Sequence, residues 1–557
     1  MSAAGGRRIL LRGRTGGALT ERVAAGLRAL GHTVSVDAGR VPGPEDPASG
    51  EVSVDLLIER SPDGWSPPAE RSAEDGGHTS ECSIVVSSTF AYLPSERHIG
   101  LAPEDWGPAP AGSVARAWRD VEERALARGS SVLRAAPVAM RDGHDVFSRW
   151  LDRRLAPSAF GFDPPLQLLH PDDLVSAIAH ALEGGFDAAR TINLVPRRPV
   201  FLRRAVSLAR RRPGLRVAVP TLLLRRLGLG AAADLWRYPF TARGERATSH
   251  GWTASHTSRD AARALRRPDP RPARDRSAVS LPVEPGESEP IDDPFGMDKA
   301  YIGRFEATLF RVLHDVYWRI DTEGLEHLPR HGGALLVGVH RGFMPWDGVM
   351  MLVTARRHVG RFIRFLIHPG LIRMPVLTPY MNKLGGVVAC RENADWMLSR
   401  GRLVGVFPEG IRGAFRLYRD WHRVGLRPGR IGSDEFVSLA LRHDVPLVPF
   451  VTVGSAEIFP IWGKIEWSWW RRVAEWPFVP WTTPVPLPSK WHTCILPPID
   501  LNERAQALGF ADGPAAAEDR DLVRALSAEV QALLQATLDD LRQRRRRLFW
   551  GRLEPAP

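Results

Sequence analysis

Hydrophobic and polar positions along this chain follow two periods that take turns. Short, nearly continuous apolar runs occur at residues 9–11, 83–92, 334–339 and 403–407, each closed by glycine, proline or a polar turn. An unbroken run of that length is the mark of a strand buried on both faces. Other stretches carry an apolar residue every three or four positions: Ile302, Phe305, Leu309, Leu313 and Val316 within 298–320, and Leu522, Leu526, Val530, Leu533, Leu534, Leu538 and Leu541 within 515–547. That spacing predicts helices with one buried stripe. Residues 7–37 read strand, glycine-containing turn, helix, strand. Strand and helix patterns that alternate in this way predict an α/β fold.

The pattern lapses once. Residues 266–294, RRPDPRPARDRSAVSLPVEPGESEPIDDP, are dominated by proline, charge and small side chains, with no apolar period. Such composition predicts a linker. The chain, 557 residues long, exceeds one ordinary core. The expected division is a domain over 1–265, the linker, a second domain over 295–502, and a basic amphipathic helix over 503–557.

Composition adds a partner class. A hydrophobic share of 44% and a charged share of 25% are those of ordinary globular domains. The net charge of +12 favours anionic partners: acidic lipid surfaces, phosphorylated substrates or acyl carriers. No zinc-type cysteine spacing or nucleic-acid motif occurs, so nucleic acid is not an expected partner. Three distant cysteines, Cys82, Cys390 and Cys494, suit a reducing cytoplasm. No window reaches the ~18–20 apolar residues of a spanning helix. Residues 445–462 come nearest and are interrupted by Gly454, Ser455 and Glu457. The expected location is cytoplasmic, peripheral to the inner face of the membrane.

The candidate chemistry sits at the ends of two apolar runs. His340 follows the run 334–339, and Asp347 falls just inside a helix that Pro345 can start. An aspartate this close can fix the imidazole tautomer, which leaves the other ring nitrogen to take a proton from a hydroxyl. The run 403–407 ends at Phe407-Pro408-Glu409-Gly410, with Arg412 beyond it.

These blocks resemble the phospholipid/glycerol acyltransferase superfamily, which includes the lysophosphatidate acyltransferases. The family's first block has four residues between His and Asp; here six separate His340 from Asp347. Gly385 to Arg391 resemble its next block, Phe407–Gly410 with Arg412 its third, and Val445-Pro446-Leu447-Val448-Pro449 its fourth. The resemblance implies an α/β acyltransferase domain with His340 as general base and Asp347 orienting it. It implies that Arg391, Phe407, Pro408, Glu409, Gly410 and Arg412 shape the acceptor site. The implied donor is acyl-CoA or acyl-ACP, with no metal and no redox cofactor required. The implied acceptor is a hydroxyl of a glycerolipid or lysophospholipid. A phosphorylated acceptor fits the cations, and a neutral alcohol fits the longer His–Asp spacing.

The first domain resembles an extended short-chain dehydrogenase/epimerase, which implies an NAD(P)-binding, Rossmann-like, doubly wound parallel sheet. Gly13 and Gly16 match the first two glycines of the dinucleotide fingerprint, Leu19 stands at the third, and Asp37 holds the ribose-contact position. That family needs a tyrosine and, four residues on, a lysine. The matching positions fall at about Val114 and Trp118, and no lysine precedes Lys299. NAD(P)-dependent oxidoreductase or epimerase activity is therefore the alternative function, and the missing lysine argues against it.

Two further stretches predict contact with an anionic membrane surface. One is the tryptophan cluster Trp462, Trp467, Trp469, Trp470, Trp476, Trp481 and Trp491, interleaved with Lys464, Arg471 and Arg472. The other is the basic run at 542–547, followed by Leu548-Phe549-Trp550.

Overall fold

The computed structural model describes residues 6–14, 17–37, 51–60, 67, 83–92, 101–106, 113–141, 156–159, 163–186, 190–196, 198–209, 216–219, 221–226, 241–265, 293–342, 344–368, 377–426, 434–465, 479–549, 551 and 553–554. The chain forms two compact units, Met1–Gly296 and Met297–Pro557. The expected linker lies almost wholly outside the described residues, as do Gly16, Cys82, Trp467, Trp469, Trp470, Trp476 and Trp550.

The first unit is built on six parallel strands: β1 (Arg8–Arg12), β2 (Thr33–Asp37), β3 (Glu51–Leu56), β4 (Ser83–Ser88), β5 (Ser131–Ala135) and β6 (Thr191–Leu194). Their order across the sheet is β2-β1-β3-β4-β5-β6. The chain runs outward from β1 to β2, then returns to β3 on the other side. That reversal is a topological switch point. Successive residues of β4 serve opposite faces. Ile84 and Val86 pack with helix α1 (Ala18–Ala29) and helix α3 (Pro171–Leu182), while Val85 packs with helix α2 (Val114–Ala127). The sheet is thus covered on both sides, which explains why Ile84, Val85 and Val86 are apolar in succession. Gly13 lies where β1 turns toward α1; a Cβ there would stand 1.9 Å from Thr20 Oγ1, so only glycine permits the close approach. Trp118, at the lysine position of the resembled family, is a core side chain of α2, 1% exposed.

The second unit holds a seven-stranded mixed sheet. Its strands are β7 (Asp321–Glu323), β8 (Ala334–Gly338), β9 (Ile363–Ile367), β10 (Val387–Val388), β11 (Leu403–Val406), β12 (Leu447–Val453) and β13 (His492–Ile495). The order is β7-β13-β12-β8-β11-β9-β10, and all pairs are parallel except β12 with β13. β8 is central and buried at every residue. Gly338 is required there, because a Cβ would meet the Phe450 ring at 2.2 Å.

Three expectations are corrected in this unit. The stretch 298–320 is not one regular helix. It is α-helical at Lys299–Ala307, breaks at Thr308, resumes at Leu309–Arg311 and widens to a π-turn at Val312–Tyr317. A π-turn inserts an extra residue into the 3.6-residue period. The buried set therefore shifts to Ile302, Phe310 and Trp318, and Leu309 and Val316 point outward. The C-terminal helix runs Arg520–Arg544, separated from a short helix at Gly513–Glu518. Its basic end is not a free cationic tail. Arg544 pairs with Glu323 and Asp540, Arg545 with buried Glu457, and Arg546 with Glu554. Trp491 likewise leaves the membrane-facing cluster: it is fully buried, stacked on Trp318 at 4.6 Å between ring centroids.

Candidate active site

Two strand ends make the site. β8 delivers His340 two residues past its last hydrogen-bonded position, and the adjacent parallel strand β11 delivers Phe407 to Gly410. The carboxyl ends of parallel strands are where such sheets leave a crevice. Helix α4 (Trp346–Val359) begins at once after Pro345 and places Asp347 in its first turn.

His340 Nδ1 and Asp347 Oδ2 are 2.7 Å apart. The carboxylate accepts, so Nδ1 carries the proton and Nε2 presents its lone pair. Asp347 is itself held by Arg341 N at 3.2 Å and by Gly348 N at 2.9 Å, and its side chain is fully buried. A loop two residues longer than the resembled family's thus still brings the pair together. The ring of His340 stacks on Phe407 at 4.8 Å, and Phe407 stacks on Phe365 at 5.3 Å.

His340 opens onto an apolar cleft walled by Leu352 and Val349 of α4, Phe365 and Ile367 of β9, and Tyr380 and Met381 of a helix at Leu377–Lys383. Phe407, Gly410 and Phe415 complete the wall. Burial raises the Tyr380 phenol well above its ordinary value, and the neighbouring Tyr301 adds to this.

The other sequence-predicted residues divide. Phe407 and Gly410 line the cleft; Gly410 takes φ +56°, a left-handed turn that favours glycine. Pro408 is buried beneath them. Glu409 does not line the cleft. Its carboxylate is buried between the guanidinium groups of Arg341 and Arg416, the latter at 2.7 Å, and accepts Gly425 N at 2.9 Å. Glu409 therefore acts as an anchor: it fixes Arg341, whose backbone N–H in turn holds Asp347. Arg391 begins a helix at Arg391–Leu398, half-exposed and facing Asp395 and Glu435 at 3.9 and 3.8 Å, and it is not among the cleft's wall residues. Arg412 lies in a short helix at Gly410–Ala414, and its side chain falls outside the described residues. Arg341 and Arg416 are not among the predicted residues. Their only sequence signal is charge near the two motifs, and charge alone does not mark burial.

In the first unit, Gly13 and Asp37 stand at the ends of β1 and β2, with Asp37 in register with Arg12. The carboxyl ends of β4, β5 and β6 are filled by the chain's own side chains. Arg134 pairs with Glu122 at 2.7 Å with both side chains buried, and donates to the Tyr92 hydroxyl at 2.5 Å. Tyr92 in turn donates to Asn193 Oδ1 at 2.7 Å. Burial, partly offset by Arg134, pushes the Tyr92 phenol up to about 12. Elsewhere in this unit His170, Asp172 and His256 bring potential ligand atoms within 4.8 Å of one another. Asp172 is already paired with Arg22, His256 Nδ1 lies 3.1 Å from Asp173 Oδ1, and the two imidazoles are stacked at 4.0 Å.

The family model described as Acyltransferase matches residues 319–453 of the chain. An uncharacterized protein of Mycobacterium tuberculosis is 32% identical over 271 residues, which is 46% of this chain and 72% of that protein. One of Mycobacterium leprae is 32% identical over 271 residues, 46% of this chain and 70% of that one. Among solved structures, a 1-acyl-sn-glycerophosphate acyltransferase from Thermotoga maritima is similar at 19% identity over 44% of this chain and 82% of its own, with a TM-score of 0.29. A human epimerase-family protein crystallised with NADPH is similar at 16% identity over 46% of this chain and 98% of its own, with a TM-score of 0.35.

Proposed function

The chain belongs to the acyltransferase family, and from that premise we propose that it moves a fatty acyl group from a thioester of CoA or acyl carrier protein to a hydroxyl of a glycerolipid or lysophospholipid. The observation that carries the reading is the buried Asp347 carboxylate on His340 Nδ1, with the other ring nitrogen left to an apolar cleft. In this reading the acyl chain lies along Leu352, Phe365 and Phe407. The acceptor oxygen attacks the thioester carbonyl while His340 Nε2 takes its proton. The tetrahedral adduct collapses, the C–S bond breaks, and the imidazolium returns the proton to the departing thiolate. Asp347 stabilises the imidazolium in between. Only a proton and an acyl group move, so the proposed reaction calls on no metal or redox cofactor. The enzyme would work at the cytoplasmic face of a membrane; among the described residues no helix is long and apolar enough to cross one.

The test is acyl transfer by the full chain from labelled thioester donors to lysophosphatidate, glycerol phosphate and neutral alcohols. His340→Ala, with unchanged circular dichroism, is expected to lose ~10²–10⁴ in rate. Near-normal turnover by this variant would overturn the mechanism.

A further inference from the structure

Large apolar side chains that stay exposed are informative when they gather. Among the described residues of the second unit most of them gather on three segments distant in sequence. Leu309, Val312 and Val316 line the outer side of the interrupted helix, at 43%, 53% and 66% exposure. Trp462, Ile465 and Trp481 stand on an antiparallel hairpin of Gly463–Ile465 with Val479–Trp481, and Val485 follows it. Leu548 and Phe549 follow the C-terminal helix.

Hydrogen bonds join the three into one face. The Tyr317 hydroxyl donates to Pro486 O at 2.7 Å and Trp318 Nε1 to Leu487 O at 3.3 Å, which ties the helix to the segment carrying Val485. Trp462 N donates to Trp481 O at 3.0 Å, and the two indoles meet edge to face. Lys490 N donates to Leu548 O at 2.9 Å, and an Arg319 guanidinium N–H donates to Phe549 O.

We propose that this belt is the face by which the protein docks on an anionic lipid surface, with its indoles and aliphatic side chains entering the headgroup boundary. Two features select lipid over a protein partner. The exposed indoles belong to the residue type that settles at a lipid–water boundary. The charge also complements an anionic bilayer: the segments at 309–317, 462–465, 479–487 and 548–549 carry Arg311 and Lys464, both exposed, against a single acid, Asp315. Asp315 is engaged by Arg357 at 2.7 Å, His314 at 2.8 Å and, more loosely, Arg311 at 4.0 Å. The belt also lies behind the acyl-transfer cleft. The inner side of the same helix, through Phe305, Phe310 and Leu313, packs in one cluster with Val349, Leu352 and Tyr380, which wall the cleft. The belt and the cleft thus lie on opposite sides of one packed layer. The proposal rests on the acyl-transfer reading for its purpose and on none of it for its test.

The test is flotation of the full chain with phosphatidylcholine vesicles, pure or with about a third phosphatidylglycerol. Wild-type protein should float with the mixed vesicles, and a substantial fraction should remain bound at high salt, because apolar insertion is not screened. Val316→Glu, Trp481→Ser and Val485→Glu, at positions more than half exposed and so tolerant of change, should each weaken partitioning about tenfold. Leu508→Ser with Phe510→Ser, exposed but outside the belt, should leave it unchanged. The proposal fails if wild-type protein stays unbound, if the belt variants float like wild type, or if they alter only self-association, which would make the belt an interface between copies. Turnover of a soluble short-chain thioester should be the same in belt variants and wild type. Vesicle binding without any acyl transfer would leave the docking face standing and sink the enzymatic reading instead.

Discussion

His492 shows how a single side chain can make the fold pH-dependent. It is 3% exposed on β13, and burial, followed by the nearby Lys490 charge, lowers its pKa from 6.5 to about 4. The folded chain therefore keeps it neutral where the unfolded chain would protonate it. Stability is complete above the unfolded value, declines as pH falls from about 6.5, and is lost by about 4. The full effect is on the order of 3 kcal/mol. Denaturant unfolding at stepped pH should show wild-type protein losing more stability across that window than His492→Gln, which cannot titrate; equal losses would mean the imidazole is not the cause. Residues of the candidate site show what sequence conveys. His340 and Asp347 were legible because a strand end and a helix start bracket them, whatever the loop length between. Glu409 was legible as a motif but not as a direction. Its carboxylate turns into the protein because two guanidinium groups, Arg341 and Arg416, are buried beside it and must be neutralised there.

At the scale of elements, the C-terminal helix ends in a fastening. The Arg545 fork reaches Glu457 at 2.7 Å, Ser489 Oγ at 3.1 Å, Lys490 O at 3.0 Å and Leu548 O at 2.9 Å, with both charged side chains almost wholly buried. Glu457 lies in the turn after β12, and Ser455 of that turn has its carbonyl near Gly342 in the loop following His340. Arg545→Met leaves a buried carboxylate uncompensated, which costs about 3–5 kcal/mol. The expected result is a lowered unfolding midpoint, and Arg545→Lys should not restore it, since an ammonium cannot span the four acceptors. An unchanged midpoint in Arg545→Met would show that the pair contributes nothing. This fastening was not legible in a run of arginines, because a charge run reads the same whether it is solvated or folded back. The helix at 299–317 failed for a different reason: the apolar period was real, but a break and a π-turn moved it by one residue partway along. The strands at 334–338 and 403–406 read correctly, because a run apolar on both faces needs no register to be recognised.

At the scale of the whole molecule, the chain joins a sheet with a topological switch point to a sheet with a His–Asp pair, and the question is whether the first still has chemistry of its own. Hydride transfer in the resembled dehydrogenases depends on a lysine that lowers a tyrosine's pKa. Here no lysine precedes Lys299, and the matching position holds the core side chain Trp118. Tyr92, among the described residues of this unit, moves the opposite way, since burial drives it up to about 12 and leaves it a poor proton donor to an alkoxide formed by hydride transfer. Its hydroxyl is also occupied, accepting from Arg134 and donating to Asn193. These groups occupy the carboxyl ends of β4, β5 and β6. Displacing them would strip Arg134 of its buried partner Glu122, a cost of about 3–5 kcal/mol before any cofactor contact forms. The full chain is therefore expected to show no oxidation or reduction of NAD(P)(H) with nucleotide-sugar or alcohol substrates, followed by nicotinamide absorbance, while acyl transfer proceeds in the same preparation. Steady, substrate-dependent nicotinamide turnover that survives His340→Ala would show that the first unit is an enzyme in its own right, with some other group in the lysine's place.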